Sequence, residues 1–315
     1  MIPSAAAVPP AGAQALGGDV AGGRRRRERQ TPGSSPTAGY LFVAFYVALL
    51  LCLGIAPAVY AIALALSTSG GLGFGHFVQT FNFFEFAPAF EHVAEFELIW
   101  LASQTFFVVV LALMVHTLKR RVSSVFRFIF YLPGAMAGSA SAIVWLFMFT
   151  PTGSPWGFIL HGFGYHVLAN TVQPNNLPFI FAIMAFFTGA GGWIVVMYGA
   201  LNNIPDELIE AAAIDGSSPL QTALRIKIPL IRKWIVYMLV LSFAAGSQLF
   251  VEPQILAVAT NGEVPPQWSP NQLAYYLAFN QDNFNNAAAV SVDLLVIGLM
   301  VAVLLVWRGR LFAVE

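Results

Sequence analysis

Apolar residues in this chain come in long unbroken runs, without the three-to-four spacing of a helix that keeps one face wet. Six stretches reach the roughly 20 consecutive apolar residues that a helix needs to cross a bilayer. They lie near 40–66, 98–118, 128–149, 177–201, 234–258 and 287–307. Polar residues concentrate in the connections near 67–97, 119–127, 150–176, 202–233 and 259–286. The pattern predicts an all-α membrane protein of six transmembrane helices, since a helix satisfies its own backbone hydrogen bonds where lipid offers none. Two spans carry small residues. GAMAG sets Gly134, Gly138 and then Ala142 one turn apart, and TGAGG occupies 188–192, so close helix–helix approach is expected at both. Pro57, Pro133 and Pro253 are the expected kink points.

Charge orients the spans. Taking alternate connections to alternate sides puts every Lys and Arg on one side: Arg24–Arg27 and Arg29, Lys119, Arg120, Arg121 and Arg127, Arg225, Lys227, Arg232 and Lys233, and Arg308 with Arg310. The other side carries only Glu85, Glu91, Glu95, Glu97, Glu263 and Asp282. Basic residues stay in the cytoplasm, so both termini are expected there. Residues 1–39, rich in Ala, Gly, Pro and Ser and containing RRRRER at 24–29, read as a disordered basic cytoplasmic tail. The first apolar run starts only at Tyr40, too late for a signal peptide, and is expected to be retained. An Arg run beside a first span serves orientation, and nucleic acid is not an expected partner.

Composition excludes some chemistry. At 58% hydrophobic and 10% charged, the 315 residues lie far from a soluble domain, and the single Cys52 forms no intrachain disulfide. His76, His92, His116, His161 and His166 lack ligand spacing, so no metal site is expected. No GxxxxGK[ST] phosphate loop occurs. Polar groups inside spans are costly and hence candidates for function: Glu252, Asp293, Gln104, Ser247, Gln248, Trp193 and Tyr198. Aromatic faces and amide or carboxylate groups hold carbohydrates, which selects Trp193, Gln248 and Glu252 as pathway candidates. Against that stand packing for Trp193 and a bracing role for Glu252 beside Pro253.

The connection at 202–233 contains IPDELIEAAAIDGSSP at 204–219. Pro205 suits a first helical position, Asp206 and Glu207 follow at the positive end of the dipole, and Gly216 suits a stop after Asp215. Ser218, Pro219 and Gln221 predict a capped second helix, which Pro229 is expected to end. Ala211, Ala212 and Ala213 let a backbone approach another surface closely. That surface is either a cytoplasmic partner or the underside of the chain's own bundle.

Glu210, Ala211, Ala212, Asp215, Gly216, Ile226 and Pro229 stand in the order EAAxxDGxxxxxxxxxIxxP. This resembles the EAA loop of ABC importer permeases, above all the carbohydrate-uptake members of maltose and glycerol-3-phosphate type. FRFIFYLPGAMAGSASAIVWLFMFTP at 126–151 and QLFVEPQIL at 248–256 resemble other stretches of that family, and the likeness covers roughly 40–312. Two departures stand out: Ala223 replaces the usual Phe, and AVATNGEVPP at 257–266 replaces a Gly-rich stretch.

The resemblance implies a type I permease core in a bacterial plasma membrane, with a cytoplasmic coupling loop through Glu210, Ala211, Ala212, Asp215, Gly216 and Pro229. It implies no cofactor in this chain, ATP and Mg being used by the partner. The implied partners are a second homologous permease, two ATP-binding subunits, an extracytoplasmic solute-binding protein and membrane lipid. A permease for a non-sugar solute and, more remotely, a secondary transporter remain alternatives. A membrane enzyme would need clustered catalytic groups, and the sequence offers none.

Overall fold

The computed structural model describes residues 36–68, 70–136 and 138–309. The Arg run at 24–29 and Arg310 lie outside them. The chain divides into two units at Leu53/Gly54. In the first, α1 (Pro36–Leu49) leads into a π-helical turn, Leu50–Ile55. Tyr40, Leu41, Phe45 and Leu53 are exposed, as side chains that face lipid would be.

The second unit is helical apart from one hairpin. Its elements are α2 (Ala56–Leu66), strands β1 (Ser67–Thr68) and β2 (Gly71–Leu72), α3 (Gly75–Phe81), α4 (Phe86–Thr117), α5 (Arg120–Tyr131) and α6 (Gly138–Met148). Two short helices follow, α7 (Gly157–Gly162) and α8 (Leu168–Thr171), then α9 (Leu177–Asn202), α10 (Asp206–Ile214) and α11 (Pro219–Thr222). After them come α12 (Ile228–Leu230), α13 (Arg232–Gly246), α14 (Val251–Ala259), α15 (Pro270–Phe279) and α16 (Phe284–Gly309).

Four helical stretches are long and apolar enough to span a membrane: Val43–Leu66, Phe86–Thr117, Pro174–Asn202 and Phe284–Gly309. Two bent pairs bring the number to six if each counts as one span. Arg120–Ala135 meets Gly138–Met148 at 98°, and Pro219–Leu230 meets Arg232–Gly246 at 64°.

The third and fifth spans are broken beside Pro133 and Pro253, two of the expected kink points. In the third, a 3-10 turn at Leu132–Ala135 interrupts the path. In the fifth, the helix stops at Gly246 and resumes at Val251. Pro253 stands in the first turn of α14, where a missing N–H costs nothing; Pro133 lies in the 3-10 turn that precedes the 98° bend, and Pro57 lies inside the continuous helical stretch Val43–Leu66, just after its π-helical turn.

The small-residue stretches meet each other, in a way different from the expected ridge. A Cβ on Gly191 would strike the Phe130 carbonyl, and one on Gly134 would strike the Thr188 carbonyl. Gly138 touches nothing within 4 Å, because the turn at 132–135 takes it off the face that Gly134 occupies.

The helices α4 and α9 form the most extensive pair, and α13 lies across both. One core cluster gathers Phe96, Trp100, Phe181, Met184, Leu256 and Trp268; another, nearer the connection at 202–233, gathers Val108, Ile194, Met197, Leu201, Ile231 and Met238. Connection 67–97 is ordered into the hairpin, α3 and the first turns of α4. Glu97, counted by sequence among the external carboxylates, is consequently a buried residue of α4.

Candidate functional site

The segment 204–231 is built as a bent lever. Pro205 stands just before α10, at the cap and not at the expected first position, and Asp206 and Glu207 fill the first turn. At the other end Gly216 adopts φ +80°. Its N–H donates to Ala213 O at 3.1 Å, and Ser217 N–H donates to Ala212 O at 2.9 Å. Those two bonds are a Schellman closure, and they require a left-handed residue at Gly216. Ser218 N–H then donates to Gln221 Oε1 at 2.9 Å and Gln221 N–H to Ser218 Oγ at 3.3 Å, completing the expected capping box.

Pro229 does not end the second helix. The chain stays helical to Leu230 and bends at Ile231, because a π-helical turn at Ala223–Lys227 has already moved the carbonyl that a proline ring would strike.

Of the three alanines, Ala212 packs under the chain's own bundle and Ala211 and Ala213 are exposed. Ile209 packs on the cluster of Leu201, Ile204 and Ile231, and Ala212, three residues on, is buried at 6% exposure. Glu207, Glu210, Ala211 and Ile214 occupy the opposite face and are exposed, Ile214 at 87%. Asp215, Leu220, Leu224 and Pro229 are exposed as well, whereas Ala223 is half-buried. An acidic face beside bulky exposed Ile214, Leu220 and Leu224 is the kind of surface that another protein covers.

The lever is tied to three helices. Lys227 Nζ donates to His116 Nδ1 of α4 at 3.4 Å, and His116 meets Tyr198 of α9 edge-on at 5.9 Å. Arg127 of α5 lies 4.1 Å over the Tyr198 ring. The sequence contained no signal for this chain of contacts, since its members are scattered over four elements.

The pathway candidates separate. Gln248 sits at the break in the fifth span and, with Ser247, Asn271 and Ser291, supplies the polar part of an open, mainly apolar cavity of about 380 Å³ whose other walls include Phe243, Leu294, Leu295 and Leu299. Non-helical backbone at membrane depth is tolerated where it lines such a cavity. Ser269 Oγ donates to Leu249 O at 2.8 Å and Gln272 Nε2 to Gln254 Oε1 at 3.1 Å, so α15 holds the break in shape. Glu252 is half-buried in the first turn of α14, outside that lining. Trp193 is elsewhere, half-buried and edge-on to Tyr237 at 5.9 Å.

A polar seam, of which sequence reasoning singled out only Gln104, lies between α4 and α13. Glu97, Trp100 and Gln104 fall on one face of α4, and Gln104 Nε2 donates to Ser242 Oγ at 2.5 Å. A Cβ on Gly246 would stand 2.6 Å from Trp100 Cζ3, so that glycine admits the ring. The spacing 97, 100, 104 was the available signal.

Comparison with known proteins agrees with this architecture. The family described as "Binding-protein-dependent transport system inner membrane component" matches residues 104–311. The lactose transport system permease protein LacF of Rhizobium radiobacter is 28% identical over 276 residues, covering 84% of this chain and 91% of that one. The sn-glycerol-3-phosphate transport system permease protein UgpA of Escherichia coli O157:H7 is 26% identical over 273 residues, with the same two coverages, 84% and 91%. Among solved structures, a bacterial ABC transporter involved in the import of the acidic polysaccharide alginate superposes with TM-score 0.73 at 21% identity. The match covers 86% of this chain and 94% of that one, a likeness of fold.

Proposed function

Because the chain belongs to the family of binding-protein-dependent transport system inner membrane components, we propose that it is the membrane subunit of an ATP-driven importer for a sugar or related polar solute. The observation that carries the reading is the lever at 204–231: rooted in the bundle through Ile209 and Ala212, and open on the face of Glu210 and Ile214. In this reading one of two ATP-binding subunits receives that face. A second homologous permease completes the pathway, and an extracytoplasmic binding protein delivers the solute. ATP and Mg act on the partner, since the chain has no phosphate loop. The relatives named for lactose and glycerol-3-phosphate transport support a polyhydroxylated solute, as do the neutral hydrogen-bonding groups Ser247, Gln248, Asn271 and Ser291 around one cavity.

One pair of cysteine substitutions tests docking and orientation together. Asn261→Cys is expected to react with an impermeant thiol reagent in intact cells, with both termini inside. Ile214→Cys should stay unlabelled from outside and should crosslink to an ATP-binding subunit in membranes. External labelling of the Ile214→Cys variant would reverse the topology, and failure of that variant to trap an ATPase would remove the lever from the coupling.

For the pathway, Gln248→Ala is expected to raise the solute concentration for half-maximal uptake several-fold, a lost hydrogen bond to solute amounting to about 1 kcal/mol. Copurification with partner subunits should be unchanged. Unaltered uptake across a panel of sugars and polyols would take Gln248 out of the pathway. Glu252→Gln distinguishes contact from brace: loss of uptake with intact assembly assigns it to the solute, and failed assembly assigns it to structure.

A further inference from the structure

Helix α5 is two-faced in a way that the other long helices are not. Val122, Val125, Phe126 and Ile129 form one side and are 44%, 57%, 41% and 51% exposed. The opposite side carries Arg120, Ser123, Ser124 and Arg127. Protein covers part of the polar side: Ser123 is fully buried and Arg127 lies over Tyr198, while Arg120 and Ser124 stay exposed. A helix that turns polar groups toward protein and apolar groups outward has lipid on its open side. The path from α5 through the 3-10 turn to α6 bends by 98°, so α5 does not continue the direction of α6.

At the start of this helix stand three consecutive cations, Lys119, Arg120 and Arg121, all exposed. No Asp or Glu occurs between Glu97 and Asp206, so the neighbouring sequence holds no carboxylate to pair with them. Arg127, by contrast, is occupied by the Tyr198 ring and by Ser123 O at 3.3 Å. Three exposed cations beside an open apolar face match a ligand with a negative head and a hydrocarbon tail.

We propose that the amino-terminal end of α5 is a binding site for anionic phospholipid headgroups of the cytoplasmic leaflet, with Lys119, Arg120 and Arg121 holding the phosphate level and Val122, Val125, Phe126 and Ile129 lying against the acyl chains. The cations distinguish net-negative from zwitterionic lipid, because both kinds offer the same tails and one phosphate but only the first keeps its charge. The same helix reaches the coupling lever through Arg127, Tyr198, His116 and Lys227, which sets the bound lipid at one end of that contact chain.

The test needs neither the solute nor ATP. The complete complex is reconstituted in phosphatidylcholine vesicles carrying trace spin-labelled phosphatidylglycerol or phosphatidylcholine, and the motionally restricted fraction of each is measured. Wild type is expected to prefer phosphatidylglycerol by about threefold or more, less so at high salt, since each basic residue near a membrane surface contributes attraction that salt screens. K119Q/R120Q/R121Q should lower that ratio toward one without shifting the thermal midpoint, and R121Q alone should give an intermediate value. No wild-type preference, or a full preference kept by the triple variant, overturns the site. So does a triple variant that keeps the preference and sheds its ATP-binding subunit, which would assign the cations to a protein partner.

Discussion

Gly216→Pro is expected to abolish solute uptake while leaving the spans inserted. Gly216 holds φ +80°, and proline is confined near −65°, so the substituted chain cannot form this turn. Its N–H also supplies the bond to Ala213 O, which proline lacks. A strained backbone residue costs on the order of 1–3 kcal/mol, and the loss of the closing bond adds about 1 kcal/mol. Together, about 2–4 kcal/mol, they depopulate the native turn by roughly thirtyfold to several hundredfold. The lesion falls between α10 and the capping box at Ser218, so the exposed face of Glu210 and Ile214 loses its fixed relation to the bundle. Uptake and solute-stimulated ATP hydrolysis should fall together, at normal membrane levels of the chain. Gly216→Ala, which tolerates a left-handed conformation at about 1–2 kcal/mol, should retain part of both. Wild-type transport in the proline variant would show that the turn plays no part in coupling.

Gly191→Ala is expected to be the most damaging single methyl group in the membrane domain. Its Cβ would fall on the Phe130 carbonyl and 2.8 Å from Tyr131 Cα, and backbone cannot rotate aside as a side chain can. Overpacking of this kind costs about 1–3 kcal/mol, and the cost here belongs at the upper end. The neighbouring Gly192→Ala is the matched control, since a Cβ there meets nothing within 4 Å. Thermal unfolding in detergent should show a clear drop for the first and almost none for the second. Equal midpoints would mean that α5 and α9 do not approach as closely as Gly134 and Gly191 allow.

The two variants probe different levels of organisation. The turn at Gly216 was legible because it is local: a carboxylate-rich start, a helix former at each interior position and a glycine at the stop fall within eleven residues. The capping box at Ser218 was legible for the same reason. The contact at Gly191 was legible only in kind. Two glycine-rich stretches announced a close approach, but not that they meet each other, nor that Gly138 takes no part.

What the sequence by itself determined is the class of molecule and its membrane pattern. Long apolar runs leave lipid as the only medium that can surround them, and the one-sided placement of basic residues sets an expected orientation. The loop motif and its family followed from short-range spacing. Only the tertiary structure decided that the third and fifth spans break outright near the expected kinks at Pro133 and Pro253, because a proline permits a kink but how far the helix opens depends on what α9 and α15 pack against it. It also decided that Glu97 belongs to a buried seam, that Ala212 faces inward while Glu210 faces out, and that Trp193 and Gln248 lie apart. Each of those outcomes depends on which face of a helix another helix covers, and no residue carries that information until its neighbours in space, distant in sequence, are in place.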